Sequence, residues 1–293
     1  MISMEDNIMK NALEVKNICV KNGDFELKSI NLTIPKGSVM GLIGRNGVGK
    51  TTLIKSIVNQ LQHSSGEVLF DGLRMYGNDV KVKSKIGVVF DDLIYTVGKP
   101  KKIVKIIAPF YDEFDMNKYN LLMDKFELNP NKDLKKYSKG MKTKFNVIMV
   151  LCHNADLIIL DEPTAGLDPI SRVEIIDFFL EIMQDENKSI LFSTHILSDL
   201  EKIADYITLM DKGKIIFSMD KETLIEKYSI IQVDKSAISD ELKRNIKGLK
   251  ENVFGYQGLI EDREPYKNIA GVRFAPASIE EVMIFRGGIN ENV

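Results

Sequence analysis

The stretch GRNGVGKT at residues 44–51 constrains this 293-residue chain more than any other feature. It has the full G-x-x-x-x-G-K-[ST] spacing. It lies between an apolar run, VMGLI, and a stretch in which Leu53, Ile54, Ile57, Val58 and Leu61 recur at helical spacing. A strand that turns at once into a helix through glycines leaves successive backbone N–H groups pointing into one concavity, and the helix N-terminus adds partial positive charge. Gly44, Arg45, Asn46, Gly47, Val48, Gly49, Lys50, Thr51 and Thr52 therefore read as a cradle for a nucleotide polyphosphate, with Lys50 reaching the β- and γ-phosphates and the Thr51 hydroxyl on Mg²⁺.

An anion held here must be held locally. Forty Lys plus Arg against 42 Asp plus Glu leave a formal net charge of −2, so there is no chain-wide positive field and no reason to expect nucleic-acid binding. The longest apolar runs, such as Val147–Cys152, are far short of the ~20 residues a membrane-spanning helix needs. The start of the chain has no basic segment followed by a long apolar stretch, so no secretory signal is expected. Cys19 and Cys152 make no zinc or redox spacing and suit a reducing compartment.

Short runs rich in Val, Ile and Leu alternate with helical patterns, which predicts a mainly parallel sheet with crossover helices. Buried strands are expected at Val39–Ile43, Ile86–Phe90, Leu157–Leu160, Ile190–Ser193 and Tyr206–Met210. Met141, Phe145, Ile148, Met149 and Cys152 mark a helix before the third of these. A further helix is expected from Pro169 to Met183, with Val173, Ile176, Phe179, Leu180 and Met183 on one side. The Lys-rich stretch 92–139 breaks the alternation and reads as an inserted helical subdomain. Beyond residue 220, polar helical stretches such as ISDELKRNIKGL are mixed with the strand-like pieces IIQV and GVRF, which predicts a small α+β accessory domain over 221–293.

LIILDEP at 157–163 delivers two acids at a strand end, where ligands lie in doubly wound sheets. Asp161 is placed to hold Mg²⁺ and Glu162 to accept a proton from an attacking water.

Together with YSKGMK at 137–142, AGLD at 165–168 and Ser193-Thr194-His195, these motifs resemble the ATP-binding subunit of an ABC transporter over about Ala12 to Asp220. The resemblance implies an α/β P-loop NTPase that hydrolyses Mg-ATP in a head-to-tail dimer. Each nucleotide would be clamped between the Gly-loop of one subunit and the signature loop, Ser138 and Gly140, of another. His195 would contact the γ-phosphate and Asp168 would couple the two sites. The partners implied are an integral-membrane transporter subunit and a second ATPase subunit, identical or related, which places the chain at the cytoplasmic face of the membrane.

Three residues depart from that family's pattern. Asp91 stands where Gln is usual and is expected to remain a metal-side residue. Asn22 replaces the aromatic that stacks on adenine, and Phe25 is the nearest substitute, as a stacking or a core residue. Lys139 replaces a glycine, a variant resembling bacterial exporters of peptides, antibiotics or other amphiphiles. Lys81, Lys83, Lys85, Lys99, Lys101, Lys102 and Lys105 make the flank of the insertion basic, as a solvated face or as a surface for an acidic partner loop or anionic headgroups. Other readings are a soluble ATPase acting on ribosomes or DNA, and a nucleotide-gated switch without turnover.

Overall fold

The structure, a computed structural model, describes residues 10–75 and 79–286. Residues 1–9, 76–78 and 287–293, which belong to the expected segments 1–220 and 221–293, lie outside the described residues. The chain begins with strands β1 (Asn11–Asn22), β2 (Phe25–Pro35) and β3 (Val39–Ile43), followed by helix α1 (Lys50–Ile57) and strands β4 (Ser65–Phe70) and β5 (Leu73–Arg74). Next come α2 (Asp79–Ser84), β6 (Ile86–Val89), α3 (Pro100–Ile107), α4 (Met116–Lys125) and α5 (Lys139–Cys152). Then follow β7 (Leu157–Asp161), α6 (Pro169–Ile182), β8 (Ser189–Thr194), α7 (Leu197–Ile203), β9 (Tyr206–Asp211) and β10 (Lys214–Asp220). The last part holds α8 (Lys221–Lys227), β11 (Ser229–Asp234), α9 (Asp240–Asn245), β12 (Lys247–Asn252), β13 (Gly255–Ile260), β14 (Val272–Pro276) and α10 (Ile279–Arg286).

The six-stranded central sheet has the order β10-β9-β3-β8-β7-β6, parallel except for the β9–β10 hairpin. Every residue of β3, β7 and β8 is buried, because helices or the neighbouring sheet cover both faces. Side chains alternate between two cores. Leu157, Ile159 and Leu191 join one with Leu13, Ile30, Leu53 and Ile54, whereas Ile158, Leu160, Ile190 and Phe192 join the other with Phe145, Ile148 and Phe179.

An antiparallel sheet of order β2-β1-β4-β5 lies beside the central one and was not foreseen from the apolar runs. α6 also differs from expectation. Ile175, Ile176, Phe178 and Phe179 are buried, but Val173 and Leu180 are 47% and 38% exposed, so the helix turns a narrower face inward than its apolar residues suggest.

A third sheet, β12-β13-β11-β14, is wholly antiparallel. The expected helix over ISDELKRNIKGL stops at Asn245, and Lys247–Leu249 enter β12 instead, with Gly248 at φ +59°. One face of this sheet encloses Ile231, Val233, Leu242 and Ile260. Tyr228, Ile230, Leu259, Ile279 and Val282 belong to the same core as Leu197, Leu200 and Ile203 of α7. No helix among the described residues is long and apolar enough to cross a membrane.

Candidate functional site

The carboxyl ends of β3, β7 and β8 are in register: Ile43 pairs with Thr194, and Asp161 with Ser193. The Gly-loop leaves β3 at this edge and enters α1 through Gly49, at φ +109°. Only glycine fits there, since a Cβ would come within 2.6 Å of the Phe25 ring. Lys50 is 6% exposed and folds back over the loop, donating from Nζ to the Gly44 carbonyl at 2.8 Å. The same Nζ lies 3.2 Å from Glu162 Oε1, an ion pair without hydrogen-bond alignment.

Glu162 continues this line. Its Oε2 lies 2.7 Å from His195 Nδ1 and accepts from the His195 backbone N–H at 3.3 Å. Its own N–H donates to the Ser193 carbonyl at 2.9 Å, and its φ is +52°. A left-handed conformation at a non-glycine residue costs about 1–2 kcal/mol, and here it turns the carboxylate back over the Gly-loop. Beside it, Thr51 Oγ1 donates to Asp161 Oδ2 at 2.7 Å. Asp161 Oδ1 and Ser193 Oγ are both buried and lie next to each other without a well-aligned hydrogen bond, and neither has another hydrogen-bond partner among the described residues. Burial pushes the Asp161 carboxyl above the usual carboxylate range, opposed by the Thr51 and Ser193 hydroxyls. A buried carboxylate oxygen without a well-aligned donor, beside the Thr51 and Ser193 hydroxyls, fits a hard, oxygen-liganded cation.

The other expected residues gather around α5 and α6. Ser138 caps α5, its Oγ accepting from the Met141 N–H at 3.1 Å. Asp168 caps α6, accepting from the Ser171 N–H at 3.0 Å, and hydrogen bonds from Ser171 hold its carboxyl below the usual range. Gly140 packs on the same Ser171, where a Cβ would lie 3.0 Å from the serine side chain. Asp91 is engaged by this group: its Oδ1 lies 3.1 Å from Lys139 Nζ, both side chains well exposed. Of the three residues expected at the metal, Thr51 and Asp161 are bonded to each other, and Asp91 points its carboxylate at Lys139.

One network was not foreseen. Asp199, 3% exposed, accepts from Thr164 Oγ1 and from Arg172 Nε, both at 2.7 Å, and Arg172 also donates to Ser198 Oγ. It ties the loop after Glu162 to α6 and to the helix that follows His195. These side chains come from three separate segments, so no local spacing announces them; the one available signal was an acid in the first turn of the helix after His195.

A cavity of about 880 Å³ opens over the Gly-loop, lined among others by Phe25, Arg45, Asn46, Val48, His195 and Met283. Phe25 lies against Gly49 and Gly213 and packs on the core containing Leu27 and Leu53.

The family profile described as ABC transporter matches residues 27–165. The ABC transporter ATP-binding protein YtrB of Bacillus subtilis is 31% identical over 212 residues, covering 72% of this chain and 73% of its own length. The lantibiotic transport ATP-binding protein SrtF of Streptococcus pyogenes is 34% identical over 199 residues, covering 67% and 84%. A solved structure described as the ATP binding subunit of an ABC transporter superposes with a TM-score of 0.66 at 24% identity, over 73% of this chain and 92% of that one, and so shares the fold.

Proposed function

This chain belongs to the ABC transporter family as an ATP-binding subunit, an ATPase that powers transport with membrane subunits, and on that premise we propose that it drives export of a peptide, antibiotic or other amphiphile. The relative named for lantibiotic transport and the Lys-Gly signature support that cargo class. We assign the cassette to residues 1–220, with its helical insertion at about 92–139, and an accessory domain to 221–293. The chain sits at the cytoplasmic face of the membrane, where the exposed Lys99, Lys101 and Lys102 at the start of α3 meet the membrane subunit.

The observation that carries the reading is the line Lys50–Glu162–His195 beside Thr51–Asp161. Thr51 and Asp161 would hold Mg²⁺, which would supply charge neutralisation for the triphosphate. An arriving triphosphate competes for Lys50 Nζ, drawing it off Glu162 and the Gly44 carbonyl. The freed Glu162 carboxylate then takes a proton from a water whose oxygen attacks the γ-phosphorus as the bond to the β–γ bridging oxygen breaks. His195, released from Glu162, donates to a γ-phosphate oxygen. Arg45, Asn46, Gly47, Val48, Gly49 and Thr52 complete the cradle around the phosphates, and Phe25 borders the base. Ser138 and Gly140 of a second subunit close over the γ-phosphate, Asp168 links the two sites, and Asp91 retains a metal-side role after leaving Lys139.

Measurement of ATP hydrolysis by the wild type and Glu162→Gln tests this. General-base loss lowers turnover roughly 10²–10⁴-fold, with ATP still bound and the dimer now stable in ATP. Undiminished turnover sinks the assignment. Export is tested by lantibiotic sensitivity of cells lacking the chain, which wild type restores and Glu162→Gln does not.

A further inference from the structure

Most side chains around the cavity over the Gly-loop are charged or polar; of its described lining, Phe25, Val48 and Met283 contribute the apolar side chains. A nucleotide divides in the same way. Its phosphates go to backbone N–H groups and Lys50, whereas the heterocycle and ribose faces need apolar surface. Two of the three apolar groups are part of the cradle itself, Val48 within the loop and Phe25 against Gly49. The third comes from the far end of the chain.

The packing of α10 fixes Met283 in place. Ile279 and Val282, 2% and 1% exposed and one helical turn apart, enter the core that holds Leu197, Leu200 and Ile203 of α7. Phe285 lies across Gly248 of β12, where a Cβ would come within 2.4 Å of its ring. Met283, adjacent to Val282, is thereby held at the rim of the buried face, half-buried against the same core and bordering the cavity.

We propose that Met283 is a nucleotide-contacting residue, and that through it α10 and the C-terminal sheet form part of the nucleotide site. The thioether is a soft, polarizable group suited to lie on a purine or ribose face. The proposal rests on the ATP-binding reading of the Gly-loop.

The test is equilibrium binding of Mg-ATP to the full chain. Lys50→Ala reports on the ATP-binding reading and Met283 on this one. Met283→Ala is expected to weaken binding roughly three- to tenfold, at the low end of what loss of an apolar contact costs a pocket. Met283→Glu, which adds a like charge beside a polyanion, weakens it further and most at low salt, and Met283→Leu recovers most of the affinity. If Lys50→Ala binds as wild type, the ATP-binding reading fails. If Lys50→Ala loses binding while both Met283→Ala and Met283→Glu stay within about twofold of wild type, the cradle stands and the role of α10 is overturned. A footprint on the unmutated chain covers the case in which a variant misfolds. Mg-ATP should slow peroxide oxidation of Met283 severalfold relative to the exposed Met116, and an unchanged rate refutes the contact.

Discussion

Two loops of this chain each end at the start of a helix, and each faces phosphate in the proposed cycle, yet they are built in opposite ways. In the Gly-loop the cation is internal: the Lys50 side chain is 6% exposed and paired with Glu162, itself 12% exposed. In the loop entering α5 the cation is external: Lys139 is 42% exposed and its partner Asp91 53%. A charge in a low-dielectric place must be satisfied within the chain before any ligand arrives. An exposed pair is worth at most about 1 kcal/mol and can change partners cheaply. The first loop is thus complete in one subunit, whereas the second is left open to meet another surface.

The hardest blow to this contrast is Lys50→Ala. It strands the Glu162 carboxylate without its cation and should cost about 3–5 kcal/mol in denaturant unfolding, most of it recovered in Lys50→Ala/Glu162→Gln. A single variant as stable as wild type would erase the difference between the loops. The far end of α5 sharpens it next. His153 is buried there, stacked on Tyr111 with ring centroids 4.3 Å apart, and has no partner for Nε2 among the described residues. Burial pushes its pKa down to about 4. A histidine that titrates lower when folded than when unfolded supports the fold at neutral pH, and that support is lost as pH falls from about 6.5 towards 4. The loss is about 3 kcal/mol, measurable by urea unfolding across that range. His153→Phe keeps the stack and should flatten the profile.

Smaller effects follow at the tie between the two loops and at the exposed pair. Asp199→Asn weakens the charge-assisted bonds to Thr164 and Arg172 and should cost about 2 kcal/mol, with kcat falling more than KM changes, because the loop carrying Glu162 loses its anchor. Equal stability and equal kcat would make the network incidental. Lys139→Ala should shift stability by less than about 1 kcal/mol, and less still in high salt. A shift above about 2 kcal/mol would show that the cation of the second loop is bound into its own subunit just as Lys50 is.

Much of the central sheet and the Gly-loop was legible because each is local. Leu157–Leu160 is one unbroken apolar run, and the cradle is one contiguous motif. The first antiparallel sheet escaped notice because its strands combine alternation with breaks in it. In β2 the buried Leu27 and Ile30 are three apart, since Ser29 sits at φ +50°, and in β1 the register shifts between Val15 and Ile18. The end of α9 was hidden for a different reason: Leu242, Ile246 and Leu249 keep helical spacing past it, and pairing with β13 makes Lys247 a strand residue. Thr164, Arg172 and Met283 carried no local signal, and Asp199 only that of an acid in the first turn of a helix. Their meaning lies in contacts between segments far apart in the chain.

Helix α7 starts just past His195, and its inner residues Leu200 and Ile203 share one packed core with Ile279 and Val282. Close-packed interiors are stiff, so α7 is a bar clamped along its length to a second body. Any displacement of its histidine end therefore strains the packing against Ile279 and Val282 as well, so the C-terminal segment acts as a counterweight to the loop that carries His195.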